Sequence, residues 1–297
     1  MKLLIIYNPQ AGGGRAAGLL QSIKQYLERL EISATFLMTE YNGHAIELAQ
    51  SADLRGYDGL IASGGDGTLF EVLNGYMLNA SGNKLALGLI PNGTGNAFMK
   101  DLGLQKHDWQ RAIDIILQNQ PKPLDIGKLI SQGQTHYFIN IVGMGFVSKV
   151  ALAAVPLKWM GNAAYTAATL QKLINLKAQD ITLEIDGKTI QRQGVFVEVA
   201  NSRYTGTSFL MAPKAKLDDG LLDVVVLNKI SRLKLLRLFT SIYDGSHIEY
   251  PEIEYFQAKQ VKVIESEPTQ LIPDGEVIAE TPAEFECIHH AIQFFWP

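Results

Sequence analysis

The chain opens on an unbroken apolar run, Leu3–Tyr7, which predicts a strand buried on both faces. A Gly-rich turn follows, and then Leu19, Leu20, Ile23, Leu27 and Leu30 recur at helical spacing. Leu60–Ala62 is a second short run. Behind it Leu69, Val72, Leu73, Tyr76 and Met77 fall at i, i+3, i+4, i+7 and i+8, the apolar face of an amphipathic helix. Leu85–Ile90 is another strand run. Strands alternating with helices predict a parallel sheet with helices on its faces.

The pattern changes near Gln118–Pro123, which reads as a connector. Beyond it strands dominate. Ile181, Leu183 and Ile185 alternate with Thr182, Glu184 and Asp186, and Asp186-Gly187 marks a hairpin turn. Val195–Val199, Leu221–Leu227, Val261–Ile264 and Val277–Ile278 read as further strands, and Gly161–Lys177 and Ser231–Tyr243 as helices. The expected fold class is α/β: a parallel-sheet domain over 1–123, then a mainly-β domain over 124–297 whose last residues return to the first. No internal repeat or low-complexity segment interrupts this.

The 297 residues are about two domains' worth. With 47% hydrophobic and 19% charged residues, the chain can bury real cores and is not disordered. Its net charge of −4 and lack of a basic block exclude a nucleic-acid binder held by phosphate neutralisation. The lone cysteine, Cys287, excludes an intrachain disulfide and a Cys-based zinc cage, and fits a reducing compartment. The N-terminal apolar run is too short for a signal-peptide core. The longest apolar stretch, Ile141–Leu157, is interrupted by Ser148, Lys149 and Pro156. The expectation is a soluble cytoplasmic protein, at most peripheral on a membrane. His289-His290 invites a metal reading, but neighbours on a regular strand point to opposite faces and no third ligand lies nearby in sequence. These two, like His44, His107, His136 and His247, read as structural or exposed.

Three strand runs each end in a glycine-rich turn that opens a helix: Asn8–Gly14, Ser63–Thr68 and Pro91–Asn96. Ligands of open α/β sheets bind beyond the carboxyl ends of the strands. Glycines there let backbone N–H groups approach phosphate oxygens. Asp66 stands among these glycines, where an acid would repel phosphate unless a cation lies between them. Mg²⁺, which takes carboxylate, water and phosphate oxygens, is the natural bridge; the alternative is a helix N-cap. There is no Walker A signature, since Gly187-Lys188-Thr189 has Thr182 where the first glycine of Gly-x-x-x-x-Gly-Lys-Ser/Thr would stand, and no Gly-x-Gly-x-x-Gly follows a strand, so the common mononucleotide and dinucleotide folds are disfavoured.

The block Gly64-Gly65-Asp66-Gly67-Thr68-Leu69-Phe70-Glu71-Val72-Leu73-Asn74-Gly75 resembles the signature of the diacylglycerol kinase catalytic domain. That superfamily includes sphingosine and ceramide kinases and bacterial soluble lipid kinases. Asn8–Gly12 resembles its first block, with Ala11 where Ser is usual. Pro91–Phe98 resembles its third, with Ala97 where Asp is common. Pro213–Asp223 and Asp274-Gly275-Glu276 resemble blocks of the second domain. The resemblance runs in order along nearly the whole chain and is closest to the bacterial lipid kinases. It implies a nucleotide-binding first domain related to those of NAD kinases and phosphofructokinases, and a lipid-substrate second domain. It implies ATP and Mg²⁺ as cofactors, with nucleotide contacts from Asn8, Pro9, Gly12, Thr39, Gly64, Gly65, Asp66, Gly67, Thr68 and Thr94. Asp66 and Asp125 would share a carboxylate–water–Mg²⁺ network, although Asp125 also reads as an acid at a strand entry. Asp219, with backbone carbonyls of Lys216 and Leu221, would bind a second, structural Mg²⁺; an ordinary turn is the other reading. Glu276 would be the general base on the acceptor hydroxyl.

The implied reaction moves the γ-phosphoryl group of ATP to a hydroxyl of a diacylglycerol-like or sphingoid lipid at a membrane surface. A homodimer is allowed for, and nucleic acid is not an expected partner. The alternatives are a kinase of a soluble acceptor such as NAD, and a nucleotide-binding regulator without turnover. Ser231–Phe239, with three basic residues and an apolar stripe, would face a membrane or pack on its own domain. Gly161–Lys177, with Tyr165, Leu170, Leu173 and Ile174, would be a core helix or the wall of an acyl-chain pocket.

Overall fold

The computed structural model describes all residues but 106, 119, 155–162, 174–175, 207 and 265–267, and leaves out the side chains of 163–166 and 170. The chain forms two compact units, Met1–Ile126 with His289–Pro297, and Gly127–Ile288.

The first unit runs β1 (Lys2–Tyr7), α1 (Arg15–Arg29), β2 (Ser33–Met38), α2 (His44–Ser51), β3 (Gly59–Gly64), α3 (Asp66–Leu78), β4 (Ala86–Pro91), α4 (Ala97–Asp101) and α5 (Trp109–Leu117). The strands are parallel in the order β4-β3-β1-β2. Both faces of the sheet are covered, so β1, β3 and β4 are apolar nearly throughout. Leu3, Ile5 and Ile61 meet Ile23 and Leu27 of α1 and Ile113 and Ile116 of α5 in one core. Near the chain end, Phe294 pairs in parallel with Leu87 of β4.

The connection from β1 goes to β2 on one side, and the chain then crosses to β3 on the other. The crossovers that follow β1 and β3 therefore run in opposite directions along the sheet, and ligands of such sheets sit at this switch point.

The second unit is built on antiparallel strands: β5 (Lys122–Ser131, entering from the first unit), β6 (Gln134–Phe138), β7 (Ile141–Gly145), β8 (Gln179–Ile185), β9 (Lys188–Ala200), β10 (Tyr204–Thr205), β11 (Phe209–Leu210), β12 (Leu222–Asn228), β13 (Ile253–Ala258), β14 (Gln260–Val263), β15 (Gln270–Pro273), β16 (Ala279–Glu280) and β17 (Ala283–Phe294, ending in the first unit). Its helices are α6 (Phe146–Ala154), α7 (Ala163–Leu173) and α8 (Arg232–Ser241). The 13-residue β9 is the hinge of the arrangement. Its first half pairs with β8, and its second half lies between β7 and β12. That second half is buried on both faces. One face packs with α6 and α8 around Ile141, Phe196, Leu235 and Leu238; the other holds Val197, Val199, Val224 and Phe285.

The hairpin at Asp186-Gly187 has both residues at positive φ, 45° and 80°, as a tight β-hairpin turn of this hand requires. Two sequence expectations need correction, and a third is described only in part. Lys122 and Pro123, placed in a connector, already belong to β5. Val277 and Ile278, placed in a strand, are exposed coil between β15 and β16, so their apolar character signals no ladder. The helix expected over Gly161–Lys177 is described over Ala163–Leu173; Gly161, Ile174 and the side chains of Tyr165 and Leu170 lie outside the described residues, as do Asn119 and Pro156. Among the described residues no helix is long and apolar enough to cross a membrane.

Candidate active site

The three glycine turns stand at the carboxyl ends of adjacent strands β1, β3 and β4 and are laced together. Asn8 N–H donates to the Ser63 carbonyl at 2.9 Å, and Asn8 Nδ2 to Thr68 Oγ1 at 3.0 Å. Asn92 and Gly93 N–H both donate to the Gly64 carbonyl, at 3.0 and 3.1 Å. The spacing between turns leaves no room for side chains. A Cβ on Gly93 would stand 2.5 Å from the Gly65 Cα, and one on Gly12, which has φ 66°, would lie 2.8 Å from the Asn92 carbonyl oxygen. A Cβ on Gly64 would strike the Thr68 hydroxyl at 2.2 Å. Three backbones in such contact form a cradle of the kind that binds phosphate through N–H groups. Pro9 and Gly67 are half-buried in the same turns, Thr94 is exposed, and buried Thr39 directly follows β2 with its N–H on the Tyr7 carbonyl.

Asp66 begins α3 but does not cap it. Its carboxylate reaches across to the third turn and accepts from Ala97 N–H at 2.8 Å and Phe98 N–H at 3.3 Å. The cap reading thus holds for α4 rather than for its own helix. Burial pushes its pKa up from 3.8 to about 7, against the downward pull of those two N–H groups. The anion is therefore under-compensated by the protein, and a hard cation fits it. Asn96 escaped the sequence reading: its amide oxygen, like that of Asn92, is buried without a hydrogen-bond partner. The rest of the signature block is structural. Glu71 accepts from Gly43 and Ala45 N–H at 2.9 and 3.1 Å and so caps α2, and a Cβ on Gly75 would meet the Ile46 carbonyl oxygen at 2.2 Å where α2 and α3 touch.

Asp125 is fully buried. It accepts from His290 N–H at 2.7 Å and pairs with His289 Nδ1 at 2.9 Å. The regular-strand argument against His289-His290 fails here. His290 has φ 52°, a break in β17 that stacks the two rings at a centroid distance of 3.6 Å. Asp125 is the third candidate donor that sequence distance concealed: donor atoms of the three residues lie within 4.8 Å of one another, with Asp125 buried and both histidines exposed, so they too could hold a cation. The other described histidines carry no such group: His247 is buried with Nε2 on the Met211 carbonyl, and His44 stacks on Tyr41.

In the second unit Leu221 N–H donates to Asp219 Oδ1 at 3.2 Å, with Gly220 at φ 76°. Lys216 is exposed nearby in sequence. Asp223, just beyond, is fully buried. Tyr255 and Gln257 face its carboxylate, but neither oxygen has a hydrogen bond of normal geometry. Burial first, then the Asp219 charge, raise its pKa to about 6. Buried Asp223, with Asp219 four residues before it, makes this turn a fit for a cation held with the carbonyls of Lys216 and Leu221.

Asp274 pins the turn that carries Glu276. Its carboxylate accepts from Ile139, Asn140 and Ile141 N–H at 2.9, 2.9 and 3.1 Å, and Glu276 N–H closes the turn on the Pro273 carbonyl at 2.8 Å. Glu276 is half-buried, and its neighbour Gly275 lines a cavity of about 110 Å³. The cavity walls are apolar, among them Ile141, Phe146, Val150, Phe196 and Leu235. α8 turns Leu235 and Leu238 into this core and leaves Leu233 65% exposed, so its stripe packs mainly on its own unit.

Residues 2–129 match the diacylglycerol kinase catalytic domain, and residues 140–296 match the YegS C-terminal NAD kinase beta sandwich-like domain. The diacylglycerol kinase of Bacillus subtilis is 34% identical over 99% of this chain and 95% of its own length. That of Staphylococcus saprophyticus is 32% identical over 99% and 94%. A solved structure from Bacillus anthracis, presented as a candidate diacylglycerol kinase, superposes with a TM-score of 0.81 at 27% identity, covering all of this chain and 95% of that one. Glycine turns, the Asp274 turn and full-length kinship agree: the chain belongs to the diacylglycerol kinase family.

Proposed function

We propose that the protein is an ATP- and Mg²⁺-dependent lipid kinase whose acceptor is a glycerolipid hydroxyl. The first unit takes the nucleotide on the turns of Asn8–Gly12, Gly64–Thr68 and Thr94, with Thr39 beside them. The second takes the lipid. The observation that carries this reading is the apolar cavity lined by Gly275, next to Glu276: its walls suit acyl chains and offer little to a soluble, polar acceptor such as NAD.

In the reaction the acceptor oxygen bonds to the γ-phosphorus as the bond to the ADP oxygen breaks, and the hydroxyl proton goes to Glu276. Asp66 and Asp125 would hold the catalytic Mg²⁺, which when bound offsets charge on the phosphates. Asp219, with the carbonyls of Lys216 and Leu221, would hold the structural one. Phosphoryl transfer has a loose transition state, so the cradle's positioning contributes more than the base. A lipid acceptor places the enzyme at a membrane surface while it works.

The test is transfer of label from radiolabelled ATP to lipid micelles by the wild type and by Asp66→Asn. The reading expects a labelled lipid that falls about 100-fold or more in the variant. Full activity in Asp66→Asn would refute the role of that carboxylate. Nucleotide binding with no transfer to any acceptor would favour a regulator.

A further inference from the structure

Glu198 stands in the middle of β9, within the apolar run Val195–Ala200, and is 4% exposed. Its register fixes where it points. Val225, Glu198, Gly143 and Ile272 form one row across β12, β9, β7 and β15. Of these, Glu198, Gly143 and Ile272 line the cavity, on the face that also carries Ile141 and Phe196. Gly143 makes room for the carboxyl: a Cβ there would lie 3.0 Å from Glu198 Oε2. Strand β15, which supplies Ile272, runs directly into the Asp274-Gly275-Glu276 turn. One cavity thus touches both a buried acid and the turn of the proposed base.

No hydrogen bond or ion pair holds Glu198 among the described residues. Burial alone raises its pKa, from 4.5 to about 8. Glu198 is the only titratable side chain among the described cavity residues; the other polar ones are Ser148, Thr169 and Thr205, and the Ser148 hydroxyl is spent on the Gly145 carbonyl at 2.8 Å. A carboxyl so placed is uncharged and has an O–H to donate. An apolar pocket with one polar group aimed into it is how ligand sites fix orientation.

We propose that Glu198 is the polar anchor of the acceptor pocket, its carboxyl O–H donating to an ester carbonyl oxygen of a neutral glyceride. This rests on the lipid-kinase reading above. The match to a glyceride follows from charge. An O–H···O=C contact buries no ion, whereas an amine-bearing sphingoid would require both its ammonium and the carboxylate to lose water among these apolar walls.

The experiment measures steady-state phosphorylation of dioctanoylglycerol and of sphinganine, and binding of dioctanoylglycerol by thermal shift, in wild type, Glu198→Gln and Glu198→Leu. A glutamine amide still donates. Glu198→Gln is expected to hold KM within about twofold, and Glu198→Leu to raise it about tenfold or more with kcat little changed. The wild-type KM should climb as pH passes about 8, while that of Glu198→Gln stays flat. Should Glu198→Leu fail to fold, the pH profiles of the other two carry the test. Parallel profiles, an unchanged KM in Glu198→Leu, or a wild-type preference for sphinganine that Glu198→Gln abolishes would overturn the proposal. If the wild type binds dioctanoylglycerol through Glu198 yet phosphorylates no lipid, the kinase reading falls and the anchor stands. If it phosphorylates the glyceride with no dependence on Glu198, the anchor alone falls.

Discussion

Replacing Glu198 by glutamine should stabilise the ligand-free protein increasingly as pH rises above about 4.5 and leave it nearly unchanged below that. The unfolded chain releases this proton near 4.5, but the folded protein holds it to about 8. Between those values the folded state binds more protons than the unfolded one, so stability falls as pH rises through the window. The slope is about 1.4 kcal/mol per pH unit. Over the interval from 4.5 to about 8 the loss reaches up to about 5 kcal/mol, and it is constant above that. Glutamine has the same shape and no charge to bury. The assay is urea denaturation of both proteins from about pH 5 to about pH 9, each pair compared at one pH so that all other titrations cancel. The stability difference should grow steadily with pH and then level off. A difference that is the same at every pH would show that Glu198 is solvated or paired, and the argument from its burial would fail.

Three further outcomes follow from the geometry. Gly93→Ala puts a methyl 2.5 Å from the Gly65 Cα, so the turns must part; a cost of about 1–3 kcal/mol in urea denaturation and weaker binding of an ATP analogue by calorimetry are expected. Glu71→Ala uncaps α2 and should cost about 1–2 kcal/mol, with kcat/KM per folded molecule unchanged, since its carboxylate serves Gly43 and Ala45 N–H. Mg²⁺ at about 100 times its Kd should stabilise the wild type by about 2.7 kcal/mol relative to chelator, and Asp219→Asn should remove much of that gain in thermal melts.

The first unit was legible because its signals are local. A continuous apolar run means a strand covered on both faces, and Leu69, Val72, Leu73 and Tyr76 mark the helix α3, although Phe70, Asn74 and Gly75 are buried as well, so it is covered on more than the one face its apolar spacing predicts. That the glycine turns meet each other also follows from local pattern, since parallel strands align their carboxyl ends. What was hidden depends on distant pairing. Asp125 meets His289 and His290 only because two strands far apart in sequence converge, and the break at His290 has no sequence mark. Asp66 capping α4 is equally non-local. Glu198 did leave a trace that the reading passed over. An acid inside Val195–Ala200, apolar on both parities of the strand, cannot reach water on either face. Val277 and Ile278 misled in the opposite sense, because a two-residue apolar pair carries too little periodicity to distinguish strand from exposed coil.

Where one phosphoryl group ends decides between a lipid acceptor and a soluble one. Wild-type protein, Mg²⁺ and radiolabelled ATP are mixed with micelles of dioctanoylglycerol and with NAD in the same tube, and the products are separated into lipid and aqueous fractions. A lipid kinase leaves its label in the lipid fraction as the phosphorylated glyceride. Label in NADP, with the glyceride untouched, would show a soluble acceptor and overturn the lipid-kinase reading.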